Sequence, residues 1–215
     1  MGSTVKDVMT TQVVAVGPAA SFKEMVVKMR RSRASALPVV DGERRVIGVV
    51  SEADMLNKEA DLDTEPGTLS GLLRFGEREK AAGVTAAELM TKPPVTIGPG
   101  AALAAAARLM RDRRVKRLPV INASGHLIGI LSRADVLRVF TRPDADIRRE
   151  AAEEAIAESF LADSRPLNVT VHDGIVTLTG SPATDQAGRE LAAAVRHIDG
   201  VIAVRDQLDY PGKPQ

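Results

Sequence analysis

Hydrophobic positions in the first two thirds of the chain change period in a fixed order, and that order occurs twice. A β-branched run, Val13-Val14-Ala15-Val16 in one place and Val95-Thr96-Ile97 in the other, stops at Gly17-Pro18 and at Gly98-Pro99. Runs of this kind closed by Gly-Pro read as strands. Apolar residues then fall three and four apart, at Phe22, Met25, Val26 and Met29 and again at Leu103, Ala106, Ala107 and Met110, which predicts an amphipathic helix in each copy. Leu37-Pro38-Val39-Val40 and Leu118-Pro119-Val120-Ile121 follow, each leading through a polar turn (Asp41-Gly42, or Asn122-Ala123-Ser124-Gly125) into a second apolar run, 46–50 or 127–131. That is a hairpin signature. A last helix opens at Ser51 or at Ser132.

The two copies are an internal repeat with a constant offset of 81 positions and no gap; between 8–56 and 89–137, 18 of 49 positions are identical. Met9-Thr10 returns as Met90-Thr91, and Ser51-Glu52-Ala53-Asp54 as Ser132-Arg133-Ala134-Asp135. Each unit reads strand, helix, strand, strand, helix, and is too small to be stable alone, so two should bury their sheets against each other. Between them, 61–85 reads as a connector, with a turn at Glu65-Pro66-Gly67 and a surface helix over 69–80.

Beyond a linker at 141–145 containing Pro143, the pattern changes. A helix carrying Ile147, Ala151, Ile156 and Leu161 leads to Leu167-Asn168-Val169-Thr170-Val171. Asp173-Gly174 signals a tight hairpin into Ile175-Val176-Thr177-Leu178-Thr179-Gly180. A second helix over 184–197 has Leu191, Ala194 and Val195 on one face, and Gly200-Val201 opens a last strand through Leu208.

The repeated string of Met-Thr, Leu-Pro-Val and Gly-x-x-Ser-x-x-Asp (Gly48 to Asp54; Gly129 to Asp135) resembles the CBS domain, two of which in tandem form a Bateman module. The stretch from Asp146 to Tyr210 resembles the BON domain. The expected organisation is CBS repeats at 5–60 and 86–140 and a BON-like domain at 146–210. The expected class is α/β (α+β): two β-α-β-β-α repeats as a pseudo-twofold pair, plus a small α-β-β-α-β domain.

Composition narrows the chemistry. Cysteine is absent, so disulfides, zinc thiolates and cysteine nucleophiles are excluded, and His126, His172 and His197 have no metal-ligand spacing. Aromatic residues make up 2% of the chain, which leaves an aliphatic core and no platform for stacking bases. No apolar run reaches the ~20 residues of a membrane span. The N-terminus lacks a signal-peptide pattern, and Lys6 stands where a myristoylation motif needs Ser or Thr. A cytoplasmic protein is expected. Charge is uneven, +6 over residues 1–145 and −6 over 146–210, against +1 in all. No phosphate-binding loop, nucleophile elbow or catalytic carboxylate pair is present, so no catalytic residue and no enzyme activity is expected.

Ser51…Asp54 and Ser132…Asp135 each place a capping serine and an acid at a helix start. The same geometry suits a phosphate at the free amides and a ribose diol at the Asp. The CBS resemblance implies that second role, with an adenine nucleotide (AMP, ADP or ATP, or a related adenosyl compound) as regulatory ligand and no tightly bound cofactor. It also implies that Thr96 edges the adenine pocket, though Thr is a good strand residue in its own right. Lys116 and Arg117, before Leu118-Pro119, become phosphate neutralisers where the first repeat has Ser35-Ala36. The clefts are therefore unequal, the second being stronger unless its bases lean into the first. A homodimer and an unidentified protein target are expected. Nucleic acid is not, because 108–117 is a single short basic cluster, nor is a membrane partner. The alternative is an interaction module working through the BON-like domain without nucleotide.

Overall fold

The computed structural model describes residues 2–62, 84–159 and 167–210. The turn at Glu65-Pro66-Gly67, the helix expected over 69–80 and Leu161 lie outside them. The chain divides into two compact units, Val5–Arg133, and Met1–Thr4 with Ala134–Gln215.

In the first unit each repeat contributes a one-turn helix, α1 (Val5–Val8) and α4 (Ala86–Leu89), that the hydrophobic pattern does not announce. The longer helices are α2 (Phe22–Ser32) and α5 (Leu103–Asp112). The hairpins pair β1 (Ala36–Val40) with β2 (Val46–Ser51), and β3 (Arg117–Ile121) with β4 (Leu127–Ser132). Helix α3 (Glu52–Leu62) follows the first hairpin, and helix α6 (Arg133–Arg138) starts at the last residue of this unit and runs on in the second.

The expected first strands are a correction. Only Val16 and Ile97 pair, each as an isolated parallel bridge to Val39 or Val120. Val16 N–H donates to Pro38 O at 3.0 Å and Val40 N–H to Val16 O at 2.9 Å. The next amide needed to carry that ladder back toward Val14 belongs to Pro38, which has no N–H; Pro119 does the same to Val95. The Leu-Pro-Val motif thus builds the hairpin and ends the neighbouring strand.

The repeats interlock by exchanging their first segments. Val5 and Lys6 N–H donate to Ala101 O and Pro99 O, both at 2.9 Å, and Ala86 and Ala87 N–H donate to Ala20 O and Pro18 O, also at 2.9 Å. Thr10 bridges to Ile130 and Thr91 to Val49, so each hairpin is extended by a threonine of the other repeat. Ala86, Leu89 and Met90 accordingly pack with Val16, Ala20, Met25, Leu37, Val39 and Val50, in the first repeat's core. The methionine beside each threonine covers a glycine of the opposite hairpin. A Cβ on Gly48 would overlap Met90 Sδ and sit 2.9 Å from Met90 Cβ, and one on Gly129 would overlap Met9 Sδ.

The turns differ between copies. Asp41 Oδ1 accepts from Glu43 and Arg45 N–H, and Asn122 Oδ1 from Ser124 and His126 N–H. The left-handed position holds Gly125 (φ 81°) in the second turn but Arg44 (φ 63°), not Gly42, in the first.

In the second unit, helix α7 (Asp144–Ser159) precedes β5 (Asn168–His172) and β6 (Ile175–Gly180), then come α8 (Asp185–Val195) and β7 (Ala203–Leu208). β5 and β6 are antiparallel around Asp173 (φ 50°) and Gly174 (φ 70°), both left-handed as a two-residue turn requires, and β7 pairs parallel to β6 after the α8 crossover. The core contains Ile147, Ala151, Ala155, Val176, Leu178, Leu191, Ala192 and Val195. Two face assignments need correcting: Ile156 is 53% exposed while Ala155 is buried, and Ala192 rather than Ala194 faces inward. A step of four from Ala151 stays on the buried face, and a step of five leaves it.

The stretch 141–145, expected as a linker, is ordered: a 3-10 turn (Val139–Thr141) runs into it, and α7 begins at Asp144. Asp144 accepts Asp173 N–H at 2.7 Å and Gly174 N–H at 2.9 Å. Arg142 donates to Asp199 O at 3.0 Å and pairs with Glu150 at 2.9 Å.

Tyr210, the single tyrosine, donates to Asp206 Oδ2 at 2.5 Å. Desolvation, then the bond to Asp206 and its charge, push its pKa to about 12 from 10.0. Absorbance at 295 nm should give a midpoint near 12 in the folded protein and near 10 in urea. The folded state holds this proton more tightly, so the associated stability is complete below pH 10 and is lost as pH rises toward 12.

Overpacking a close contact typically costs ~1–3 kcal/mol. Gly48→Ala should fall at the upper end, since it meets Met90 near its backbone, and Gly129→Ala at the lower, since Met9 can swing away. Urea denaturation measures both, and Met90→Ala in the Gly48→Ala background should restore part of the loss.

Candidate functional site

The head of α3 is assembled from three segments. β2 delivers Ser51 at the point where the backbone turns into the helix, and the helix's first turn returns Asp54 to it. Asp54 Oδ2 accepts from Ser51 N–H and from Ser51 Oγ–H, both at 2.7 Å, while Asp54 N–H approaches Ser51 Oγ at 3.4 Å. Oδ1 accepts no hydrogen bond among the described residues. Glu52 N–H, the first amide of the helix, donates to Ser35 O at 3.0 Å. Ser35 also receives the Arg117 guanidinium of the other repeat, whose Nε–H donates to Ser35 Oγ at 3.0 Å.

Arg117 is thus held over the first repeat, beside the head of α3. The helix terminus and the half-buried Asp54 carboxylate come from the first repeat and the guanidinium from the second, with Ser35 bonded both to the first amide of α3 and to Arg117. The arrangement can hold a phosphate at the guanidinium and a diol at the free carboxylate oxygen.

The remaining predicted residues are placed as follows. Thr96 is half-buried, one residue before the bridging Ile97. Lys116 has an exposed side chain, and its carbonyl accepts Arg133 N–H at 3.2 Å, the counterpart of the Glu52–Ser35 bond. Ser132 closes β4, and Asp135 lies in the first turn of α6. Lys28 was missed: its Nζ reaches Ala15 O at 3.5 Å and pairs with Glu24 at 2.9 Å. The signal lay in the repeat, because the equivalent of half-buried Lys28 is the apolar Leu109. Away from these residues, an open groove of ≈ 610 Å³ runs along α7 and β5 and is lined by Arg148, Arg149, Ile156, Leu167 and Val169 among others.

The CBS-domain family model matches residues 5–61 and 86–142, and the BON-domain model matches 143–212. The chain belongs to the CBS-domain family, with a BON domain after its two CBS repeats. The chloroplastic CBS domain-containing protein CBSX2 of Arabidopsis thaliana is 33% identical over 150 residues, 64% of this chain and 63% of the relative. Inosine-5'-monophosphate dehydrogenase of Korarchaeum cryptofilum is 29% identical over 133 residues, 62% of this chain but 23% of the enzyme. The chain therefore spans less than two thirds of either relative. The structure of CBSX2 in complex with AMP superposes with a TM-score of 0.53 at 33% identity, covering 64% of this chain and 95% of that one. The CBS pair of MJ0100, solved with 5-methylthioadenosine and S-adenosyl-L-methionine, shares the fold at a TM-score of 0.53 and 18% identity, over 65% of this chain and 97% of that one.

Among the described residues no cluster of His, Asp and Glu could hold a metal ion, and no helix is long and apolar enough to cross a membrane.

Ser51 and Asp54 act on the same bonds, so Ser51→Ala and Asp54→Ala should each cost about 1 kcal/mol in urea denaturation. The double variant should lose less than the two separate losses together.

Proposed function

We infer that the CBS pair is a regulatory module that binds an adenine nucleotide, and that the BON domain belongs to its output side. The observation that carries this reading is the Arg117 guanidinium held by Ser35 at the head of α3, beside Ser51 and Asp54. The AMP complex of CBSX2 supports the ligand class. In this reading Asp54 receives the ribose hydroxyls, Arg117 the phosphate, and the Ala15 edge, with Lys28 upon it, flanks the base. Ser132, Thr96 and Lys116 belong to a second, weaker site. Arg117 of the second repeat thus serves the first cleft, which reverses the ranking expected from the sequence. The module acts without catalysis, as a homodimer, on a protein target.

The groove along α7 and β5 supports the alternative, in which the BON domain binds a partner by itself through Arg148, Arg149 and the exposed Ile156.

Ligand at 100 times its Kd stabilises a protein by ~2.7 kcal/mol. AMP, ADP or ATP at millimolar concentration should therefore raise the melting temperature of the full chain. Flat curves across adenine ligands would leave the BON reading. By calorimetric titration Asp54→Ala and Arg117→Ala should each weaken AMP about tenfold or more, as expected for hydrogen bonds to charged groups. Arg117→Ala should leave adenosine binding unchanged. A larger loss in Asp135→Ala than in Asp54→Ala would return Arg117 to the second cleft.

A further inference from the structure

The bond from Arg117 Nε to Ser35 Oγ also joins two segments that are far apart in sequence. Ser35 follows the end of α2, around which Arg30, Arg31 and Arg33 cluster, and Arg117 follows the end of α5, around which Arg108, Arg111, Arg113 and Arg114 cluster. Read along the chain, the second cluster stands alone. In the fold, the Arg117–Ser35 bond ties the two arginine-rich segments together.

Residues 28–36 and 108–117 together carry a net charge of +9, while the rest of 5–133 sums to −3. The cations of these helix ends, Arg30, Arg31, Arg33, Arg108, Arg111, Arg113, Arg114 and Lys116, are exposed, and the one acid among them, Asp112, pairs with Arg111 at 2.9 Å. Arg33 (φ 51°) and Arg114 (φ 54°) occupy equivalent left-handed positions, where glycine is the unstrained residue. Both repeats keep an arginine there in spite of that strain. Favourable interaction with the helix C-terminus accounts for one or two cations per helix end, but not for this density.

We propose that these two helix ends form one surface that binds the phosphate backbone of duplex nucleic acid without reading its sequence. The large exposed hydrophobic residues of the described chain (Val14, Val27, Leu56, Leu137, Phe140, Ile156 and Ile202) all lie outside the two segments. Protein interfaces centre on buried apolar or aromatic anchors, whereas backbone binding to nucleic acid is carried by phosphate contacts from Arg and Lys. Neither segment contains an aromatic residue to stack on an unpaired base, which favours a duplex over a single strand. The surface is independent of whether the cleft takes a nucleotide.

Fluorescence anisotropy of the full chain with a labelled duplex of arbitrary sequence tests this. Six or so phosphate contacts predict a slope of log K against log salt near −5, equivalent to about a thousandfold loss between 50 and 200 mM. Arg30→Gln/Arg33→Gly and Arg111→Gln/Arg114→Gly remove charge and relieve the left-handed arginines, so folding should hold, as melting temperature would verify. Each pair should weaken binding at least tenfold, equally for unrelated sequences, and make the slope shallower by about two. Arg31→Gln/Arg113→Gln provides an independent set with the backbone untouched. Three results overturn the proposal: no binding at 50 mM salt, loss confined to the variants of one helix end, or displacement of the duplex by polyglutamate at equal charge concentration. The last would mark the surface as one for an acidic protein.

Discussion

The fold of the first unit depends on the exchange of opening segments between its repeats. A one-turn helix leaves most of its amides without internal partners, and neither α1 nor α4 could persist alone. Each survives because carbonyls of the opposite Gly-Pro loop take its first two amides, and because the next threonine completes the opposite hairpin. The methionine between them packs on Gly48 or Gly129, where a side chain would keep the strands apart. One repeat therefore has an unfinished sheet and an uncovered core until the other supplies the missing piece. The duplication is a requirement of stability.

That exchange is what the sequence conceals. Strands, long helices, hairpins and the Ser-x-x-Asp starts depend on neighbours within a few residues, and their spacing declares them. The partner of Thr10 does not. With a constant offset of 81, Val49 and Ile130 sit at equivalent positions, so pairing within a repeat and pairing between repeats look alike on paper. Other departures also arise from distant residues. Pro38 withholds the amide that would make Val14 part of a strand, and Arg117 crosses to Ser35 of the other repeat. In the BON domain the pattern marked the right elements and mistook only which residue of a pair, Ala155 or Ile156, Ala192 or Ala194, faces the core. The ordering of 141–145 came from the Asp144 carboxylate, which caps a turn about thirty residues further on.

The structural role of the Ser51–Asp54 pair is compatible with the proposed binding role. Reciprocal hydrogen bonds at a helix start are sufficient reason for both residues to be there. Yet capping uses only one carboxylate oxygen, Oδ2, and leaves the other unengaged among the described residues. A cap of this kind is a rigid acceptor, with its orientation fixed before any ligand arrives, which reduces the entropy lost on binding.

The position of Arg117 then decides what binding would do. Its guanidinium is tethered to Ser35 by a single hydrogen bond, so an anion that offers it two charge-assisted bonds can redirect it. A ligand seated between Asp54 and Arg117 would touch both repeats and strengthen the same seam that the exchanged helices hold closed. A ligand shifts a conformational equilibrium only through its differential affinity for the two states. Here the difference would be the Arg117 contact, present when the repeats are fully engaged and lost when they loosen. The seam, required for folding, is thereby the element through which a regulatory ligand would act.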